Sequence, residues 1–453
     1  MPGKVSTRHQ VLTSGTTRRA TTSQELQEPP HFAKYASSSV HLFMETLPRQ
    51  LQDGEAQAFR HLAHSIVSRT LAHESEYRRM QCPNLDVRDW KLLKRQDELS
   101  VYKRKKSQTA KISRSTTQTN RPMVLCVGSL DGDLEDILYG FHSKTGEEMQ
   151  MTLPYLVKEE VECAVLALIE EGSSIDPYHQ LSLKWHLADA FSGTKLMKPR
   201  DLCTLESKGI SIDAHGERYG YYVLQSVDFT DCPIPSDSGD VIRAHVMFCC
   251  IYRQTPNSQR VDVYSKGMFD LGGDIPSFLV YNTSCSLMLS VLGAMECAET
   301  KRLTLLALKL QTNQATSSLI HDLSTRSLEN FEVSSDVTNF GYSNSTPDDT
   351  INTQTTMPQS LTRLLSKGNR KTRSRRQTSA EPCCVCNKKP MASIVGATHR
   401  ICGVCLRGVC NKCHVKRKLF IRSQSVLVVC CKSCLLEAKQ LKVDPQAPCP
   451  VLP

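Results

Sequence analysis

Four Cys-x2-Cys pairs near the C-terminus constrain this chain more than any other feature: Cys383/Cys386, Cys402/Cys405, Cys410/Cys413 and Cys431/Cys434. A Cys-x2-Cys turn presents two thiolates from one backbone reversal, and tetrahedral zinc takes four such ligands. Eight thiolates make two sites, so two Zn2+ ions are the expected cofactors. His399 and His414 stand as alternative ligands if one of these cysteines is not used. The segment is too short to bury much core. Metal binding, about 10–16 kcal/mol per structural zinc in small fingers, has to supply the folding free energy instead.

The chain has 453 residues, enough for about two to four domains. No run of about 18 consecutive apolar residues appears, and the N-terminus lacks the apolar core of a secretory leader. The remaining cysteines, such as Cys126, Cys163 and Cys203, are scattered, as expected of reduced thiols in a cytosolic protein rather than of a disulfide framework. Net charge is +10, yet Ser366 to Lys442 alone carries +16, with 18 Lys/Arg against Glu381 and Glu437, leaving −6 elsewhere. One end of the molecule is built to meet something anionic, a phospholipid surface or a nucleic acid.

Residues 1–30 are Thr/Ser-rich and compositionally disordered, and 31–89 carry a helical segment with Ala58, Leu62, Ile66 and Leu71 near one face. The large domain follows at 90–310. Between about 160 and 270 the period is two: Leu181, Leu183, Trp185 and Leu187 oppose Ser182, Lys184 and His186, and Tyr219/Tyr221/Val223 and Ile242/Ala244/Val246/Phe248 repeat the pattern. Turn clusters between these runs predict an antiparallel sheet with no room for crossover helices. Asp133 is placed to cap a helix through Ile137 and Tyr139, and a long helix is predicted from Pro276 to Leu310. Residues 311–380 read as a flexible linker ending in Arg370–Arg376, leaving the two parts without a fixed geometry. The metal module occupies 381–440 and a tail 441–453.

Several pieces of the large domain resemble the START lipid-transfer family: Trp90 with Val101–Arg104, Lys198-Pro-Arg-Asp-Leu202, Tyr222–Asp228, Asp231-Cys-Pro233, and Gly272–Val280 entering the last helix. The resemblance implies an α+β helix-grip fold, a curved antiparallel sheet closed by a long C-terminal helix, with an internal tunnel for one lipid. Met288, Leu292 and Met295 form an apolar stripe suited to acyl chains, although plain core packing accounts equally well for their positions. Arg243 and His245 share one strand face; Arg243 is placed to meet a lipid headgroup, to pair with an acid such as Asp262, or to stand exposed.

The four-residue gap between Cys405 and Cys410 and the Val-Val-Cys approach to the last pair resemble the FYVE zinc finger family. That resemblance implies a small cross-brace two-zinc finger, with Cys383, Cys386, Cys410 and Cys413 on one ion and Cys402, Cys405, Cys431 and Cys434 on the other. FYVE fingers bind phosphatidylinositol 3-phosphate through a basic motif. The matching stretch here keeps only His399 and Arg400, and Gly403 stands where an Arg ends that motif. Lys388, Lys389, Lys416, Arg417 and Lys418 remain as general membrane-facing charges, each contributing about 1 kcal/mol near an anionic leaflet. Met391, Ile394 and Val395 are placed either to insert there or to pack within the finger.

The sequence contains no Gly-x-Ser-x-Gly elbow, P-loop or His-Glu-x-x-His. The expectation is therefore a non-enzymatic adaptor holding one lipid and docking on anionic, phosphoinositide-bearing membranes, cytoplasmic and peripheral on endosomes. The alternative is a zinc-dependent interaction protein, in the nucleus or cytosol, with a protein partner at the finger. Nucleic acid is disfavoured, since no aromatics interleave with the basic run.

Overall fold

The computed structural model describes residues 51–80, 85–86, 88–105, 123–157, 161–188, 198–232, 241–329, 378–390 and 399–453. All of them belong to one compact unit, Leu47–Pro453. The 1–30 tail, the start of the 31–89 segment and most of the linker lie outside the described residues.

A ten-stranded sheet forms the frame. Its strands are β1 (Trp90–Gln96), β2 (Leu99–Arg104), β3 (Met123–Asp131), β4 (Val161–Glu170), β5 (Gln180–Ala188), β6 (Arg200–Ile212), β7 (Arg218–Ser226), β8 (Ile242–Arg243), β9 (His245–Gln254) and β10 (Arg260–Asp270). They run in the order β1-β2-β3-β10-β9-β7-β6-β5-β4, antiparallel throughout, with the short β8 added parallel to β6. Short turns join β1 to β2, β6 to β7 and β9 to β10, which only antiparallel neighbours permit.

Strand alternation gives the sheet two buried faces. On β9, Val246, Phe248, Cys250 and Tyr252 enter the main core, whereas Cys249 and Ile251 pack with Ile66 and Val67 of helix α1 (Asp53–Arg79) on the other side. Helix α1 is pinned there by Arg253, whose guanidinium donates to both Glu74 carboxylate oxygens at 2.9 and 3.0 Å. The inner face is covered by α2 (Leu134–Phe141), α3 (Gly146–Leu156), α4 (Ser277–Met288) and α5 (Ser290–Glu329). Asp133 takes the capping position of α2 without a side-chain capping bond; the Leu134 N–H donates to Gln254 Oε1 at 2.9 Å.

The predicted closing helix is two helices. Pro276 precedes α4, the chain breaks at Leu289, and α5 runs on to Glu329 rather than ending near Leu310. By length and average composition Ser277–Asn313 is apolar enough to cross a membrane, although polar residues interrupt every apolar run in it. Its apolar residues instead feed two cores: Met288, Val291 and Ala294 in the sheet's, and Leu303, Leu306 and Ala307 in the cysteine module's. The helices approach closely at glycines. A Cβ on Gly293 would lie 1.8 Å from the Tyr155 carbonyl oxygen, and one on Gly140 1.9 Å from that of Ala294.

Candidate functional site

The cysteine module contains β11 (Thr378–Ser379), β12 (His399–Ile401) and β13 (Gly408–Val409), which pair in that order, the hairpin β14 (His414–Ile421)/β15 (Gln424–Cys431), and helix α6 (Lys432–Gln440). These elements gather the thiols into two groups. Cys383, Cys386, Cys410 and Cys413 form one, and Cys402, Cys405, Cys431 and Cys434 the other, with all sulfurs of a group within 4.8 Å of one another. The interleaved pairing is the one implied by the FYVE-like spacing. Zinc–sulfur bonds of about 2.3 Å in a tetrahedron put sulfurs about 3.8 Å apart. The Sγ–Sγ separations of 3.7 Å for Cys386/Cys410 and 4.0 Å for Cys402/Cys434 and Cys405/Cys431 fit that ion without rearrangement. Backbone N–H groups already point at sulfur, Cys431 N to Cys402 Sγ at 3.2 Å and Cys434 N to Cys431 Sγ at 3.4 Å, as thiolate ligands require. Two groups of four cysteines could thus hold two zinc ions. Neither histidine is needed as a ligand. His399 is buried and its Nε2–H donates to the Lys388 carbonyl at 2.8 Å; His414 Nδ1–H donates to the Cys410 carbonyl at 3.2 Å.

The module is docked, in contrast to the expected free tether. Leu303, Leu306 and Ala307 of α5 share one apolar cluster with Val404, Val409, Leu419 and the ligand cysteines. The Phe420 N–H donates to Thr304 Oγ1 at 3.0 Å, its ring meets that of Tyr155 edge-on at 5.9 Å, and Tyr155 and Ser425 hydroxyls lie 2.7 Å apart. The tail turns back over the same surface, where the Cys449 N–H donates to Glu148 Oε1 at 2.8 Å and Leu452 bridges to Ile421.

Docking corrects part of the expected membrane face. Arg417 pairs with Glu299, and Lys418 pairs with Glu296 at 2.9 Å while lying over the Tyr155 ring. Both reach carboxylates of α5, so both are taken up by the docking surface. His399 is buried in backbone hydrogen bonding, and Arg400 donates from Nη1 to His414 Nε2 at 3.2 Å. Lys388, Lys389 and Lys416 are exposed. Met391, Ile394 and Val395 lie outside the described residues.

A partly open cavity of about 60 Å3 lies between the sheet and α2–α5. Phe141, Met149, Leu153, Leu224 and Phe248 give it apolar walls, and Lys184, His186, Glu206 and Tyr222 give it a polar end. That volume is well below the roughly 300 Å3 at which ligand pockets begin; the expected tunnel is closed. Glu206 Oε1 accepts from Lys184 Nζ at 2.6 Å and from Lys208 Nζ at 3.1 Å, while its Oε2 accepts from the Tyr222 hydroxyl at 3.0 Å. Burial alone would raise the Glu206 carboxyl, but the two ammoniums outweigh it and hold it at about 2. Burial pushes Lys208 down to about 7 against the pull of Glu206.

None of the expected pocket residues lines this cavity. Arg243 faces Asp201 across the β6–β8 register and pairs with it, Nη2 to Oδ2 at 2.7 Å and Nε to Oδ1 at 2.9 Å; Trp185 Nε1 donates to the same carboxylate at 3.1 Å. Asp262 is an exposed residue on β10, in register with Ser129 and Arg253. His245 has the strand parity of Cys249 and Ile251, hence the α1 side of the sheet. Met288 is core, accepting from Ser265 Oγ at 3.1 Å, and Leu292 and Met295 pack beside it. The signal for the polar end was present as Lys184 and His186 alternating with leucines, a face that ordinary patterning assigns to solvent.

No family model matches the chain, and no curated protein does. Forty solved chains do. Human StAR-related lipid transfer protein 5 is 16% identical, covering 53% of this chain and 96% of its own, with a TM-score of 0.35. Human STARD10 is 14% identical over 57% and 83% of the two chains, TM-score 0.31, and the human StarD13 (DLC2) lipid transfer and protein localization domain 11% over 50% and 95%, TM-score 0.31. Likeness at this level assigns neither ligand nor activity to the present chain.

Proposed function

We propose that this chain is a non-catalytic lipid-binding protein, in which a helix-grip domain takes up one lipid and a two-zinc FYVE-like finger, bolted to the closing helix, brings it to an anionic membrane. The observation that carries this reading is the small cavity with apolar walls and one polar end, held between the sheet and helices that must part to admit a ligand. The motif resemblances of the large domain agree with it. On the finger, Lys388, Lys389, Lys412, Lys416, Arg422 and Lys432 are exposed and free to meet a charged leaflet, whereas Arg417 and Lys418 belong to the docking surface. Phosphoinositide selectivity has weaker support, because His399 and Arg400 are engaged within the finger.

A fluorescent-lipid transfer assay tests the proposal. Full-length protein should accelerate movement between vesicles, and faster when 20–30% (roughly) of the lipid is anionic, each exposed basic residue adding about 1 kcal/mol of attraction. No acceleration above the spontaneous rate contradicts it. A second reading, the finger as a protein-binding module, is favoured by one observation: its most apolar surface is already occupied by protein, the α5 helix of the same chain.

A further inference from the structure

We infer that the polar end of the cavity is a headgroup site for a compact anion, so that the ligand is a single apolar body ending in one carboxylate or phosphate. The inference rests on the lipid-binding reading above and adds the class of lipid. Lys184, Lys208 and Glu206 have side-chain exposures of 1%, 0% and 6%, and both ammoniums share one carboxylate oxygen. One carboxylate cannot neutralise two ammoniums, and with no second anion the burial cost falls on Lys208, pushed down to about 7; an incoming anion would hold both lysines charged. The rest of the shell supplies only neutral acceptors: Ser143 Oγ accepts from Lys184 at 3.0 Å, and Gln180 Oε1 accepts from Lys208. Lys301, also buried, is separately satisfied by the carbonyls of Tyr139 and His142 at 2.8 and 2.6 Å.

Two histidines near these lysines carry buried, unpartnered nitrogens, and one of them lines the cavity. His186 lines the cavity, and its Nδ1 is buried without a hydrogen bond among the described residues; both ring nitrogens of His142, in the field of Lys184 and Lys208, are likewise unpartnered. Buried polar atoms left unpaired are uncommon and mark a missing ligand or water. The cavity's volume of about 60 Å3 leaves room for a small polar group and falls far short of a lipid tail. The head therefore has its room, while the tail must part the apolar wall formed by Met149, Leu153 and Phe248.

Displacement of cis-parinarate from the full-length, zinc-loaded chain by oleate and by methyl oleate tests this. The two competitors share a tail and differ in headgroup charge. Oleate should bind at least about tenfold more tightly, a difference of about 1.4 kcal/mol. Lys184→Met and Lys208→Met each leave one ammonium facing one carboxylate, so each should bring the ratio to within about threefold by weakening oleate. The Lys208 variant is the sharper of the two, because Lys208 does not line the cavity and acts only through the charge balance. Equal affinity for oleate and its ester in the parent, or a preference that survives in both variants, overturns the inference. Absence of binding by either competitor removes the lipid-binding reading itself.

Discussion

The sheet domain and the cysteine module solve the folding problem in opposite ways. The first buries a continuous core of leucines, valines and aromatics on one face and a second cluster under α1 on the other. The second has only a small core of its own: six buried cysteines with Val404, Val409, Leu419, Ala438 and Leu452, completed by Leu303, Leu306 and Ala307 of the sheet domain's helix. One region is held by area removed from water; the other leans on a borrowed helix face and on two thiol groups that could each hold a metal ion. The comparison teaches that the finger is no independent anchor on a string. What stabilises it also fixes α5, and through Tyr155 and Glu148 it fixes α3, a wall of the cavity.

The contrast breaks most visibly at the metals. Chelation, or Cys431→Ser, should remove about 10–16 kcal/mol per site and unfold the module. Hydrogen exchange should then rise across β14, β15 and the α5 turn at Leu303–Ala307, while β5, β6 and β7 keep their protection. Unchanged exchange in α5 after metal loss would show that docking is incidental.

The reverse perturbation comes next in size. Glu206→Gln leaves two buried ammoniums without their carboxylate and should destabilise the sheet domain by about 3–5 kcal/mol, with the zinc content unaltered. Its pH dependence has a fixed sign. The carboxyl stands at about 2 against an ordinary 4.5, so its contribution is full above about pH 4.5 and fades as pH falls toward 2. Denaturant titrations of parent and variant should converge over that window; a constant gap down to pH 2 would contradict the ion-pair account.

Phe420→Ala acts at the junction itself. The ring is fully buried against Tyr155, and its loss should cost about 3 kcal/mol, read as separate melting of the two regions where the parent melts once. Smallest is the Arg417/Glu299 pair, with side chains 39% and 31% exposed. A double-mutant cycle should give about 0–1 kcal/mol, vanishing in high salt. A larger, salt-independent coupling would mean that charge rather than apolar packing seats the finger.

How much of this the sequence revealed follows the same division. Thiol spacing announces a module built around four Cys-x2-Cys turns, and the thiols gather into the two groups of four that the family resemblance implied. Period-two runs announced the antiparallel strands, and Pro276 the start of the closing helix. What stayed hidden was facing. On β5 the polar residues Lys184 and His186 point into the domain and Leu181 lies in the groove under α1, since both faces are covered and alternation no longer tells inside from outside. Arg243 was misassigned because its partner Asp201 becomes its neighbour only through the parallel β8–β6 pairing. The docking surface was invisible because Leu303 and Leu306 look like any core residues of a long helix, and no local pattern says which core they serve.

Native mass spectrometry of the purified full-length chain tests the central claim most directly. The account predicts one dominant species carrying two zinc ions and one co-purified lipid, with the lipid lost when chelator strips the metals. A chain that flies metal-free and empty, or one that keeps its lipid unchanged after both zinc ions are gone, would contradict it.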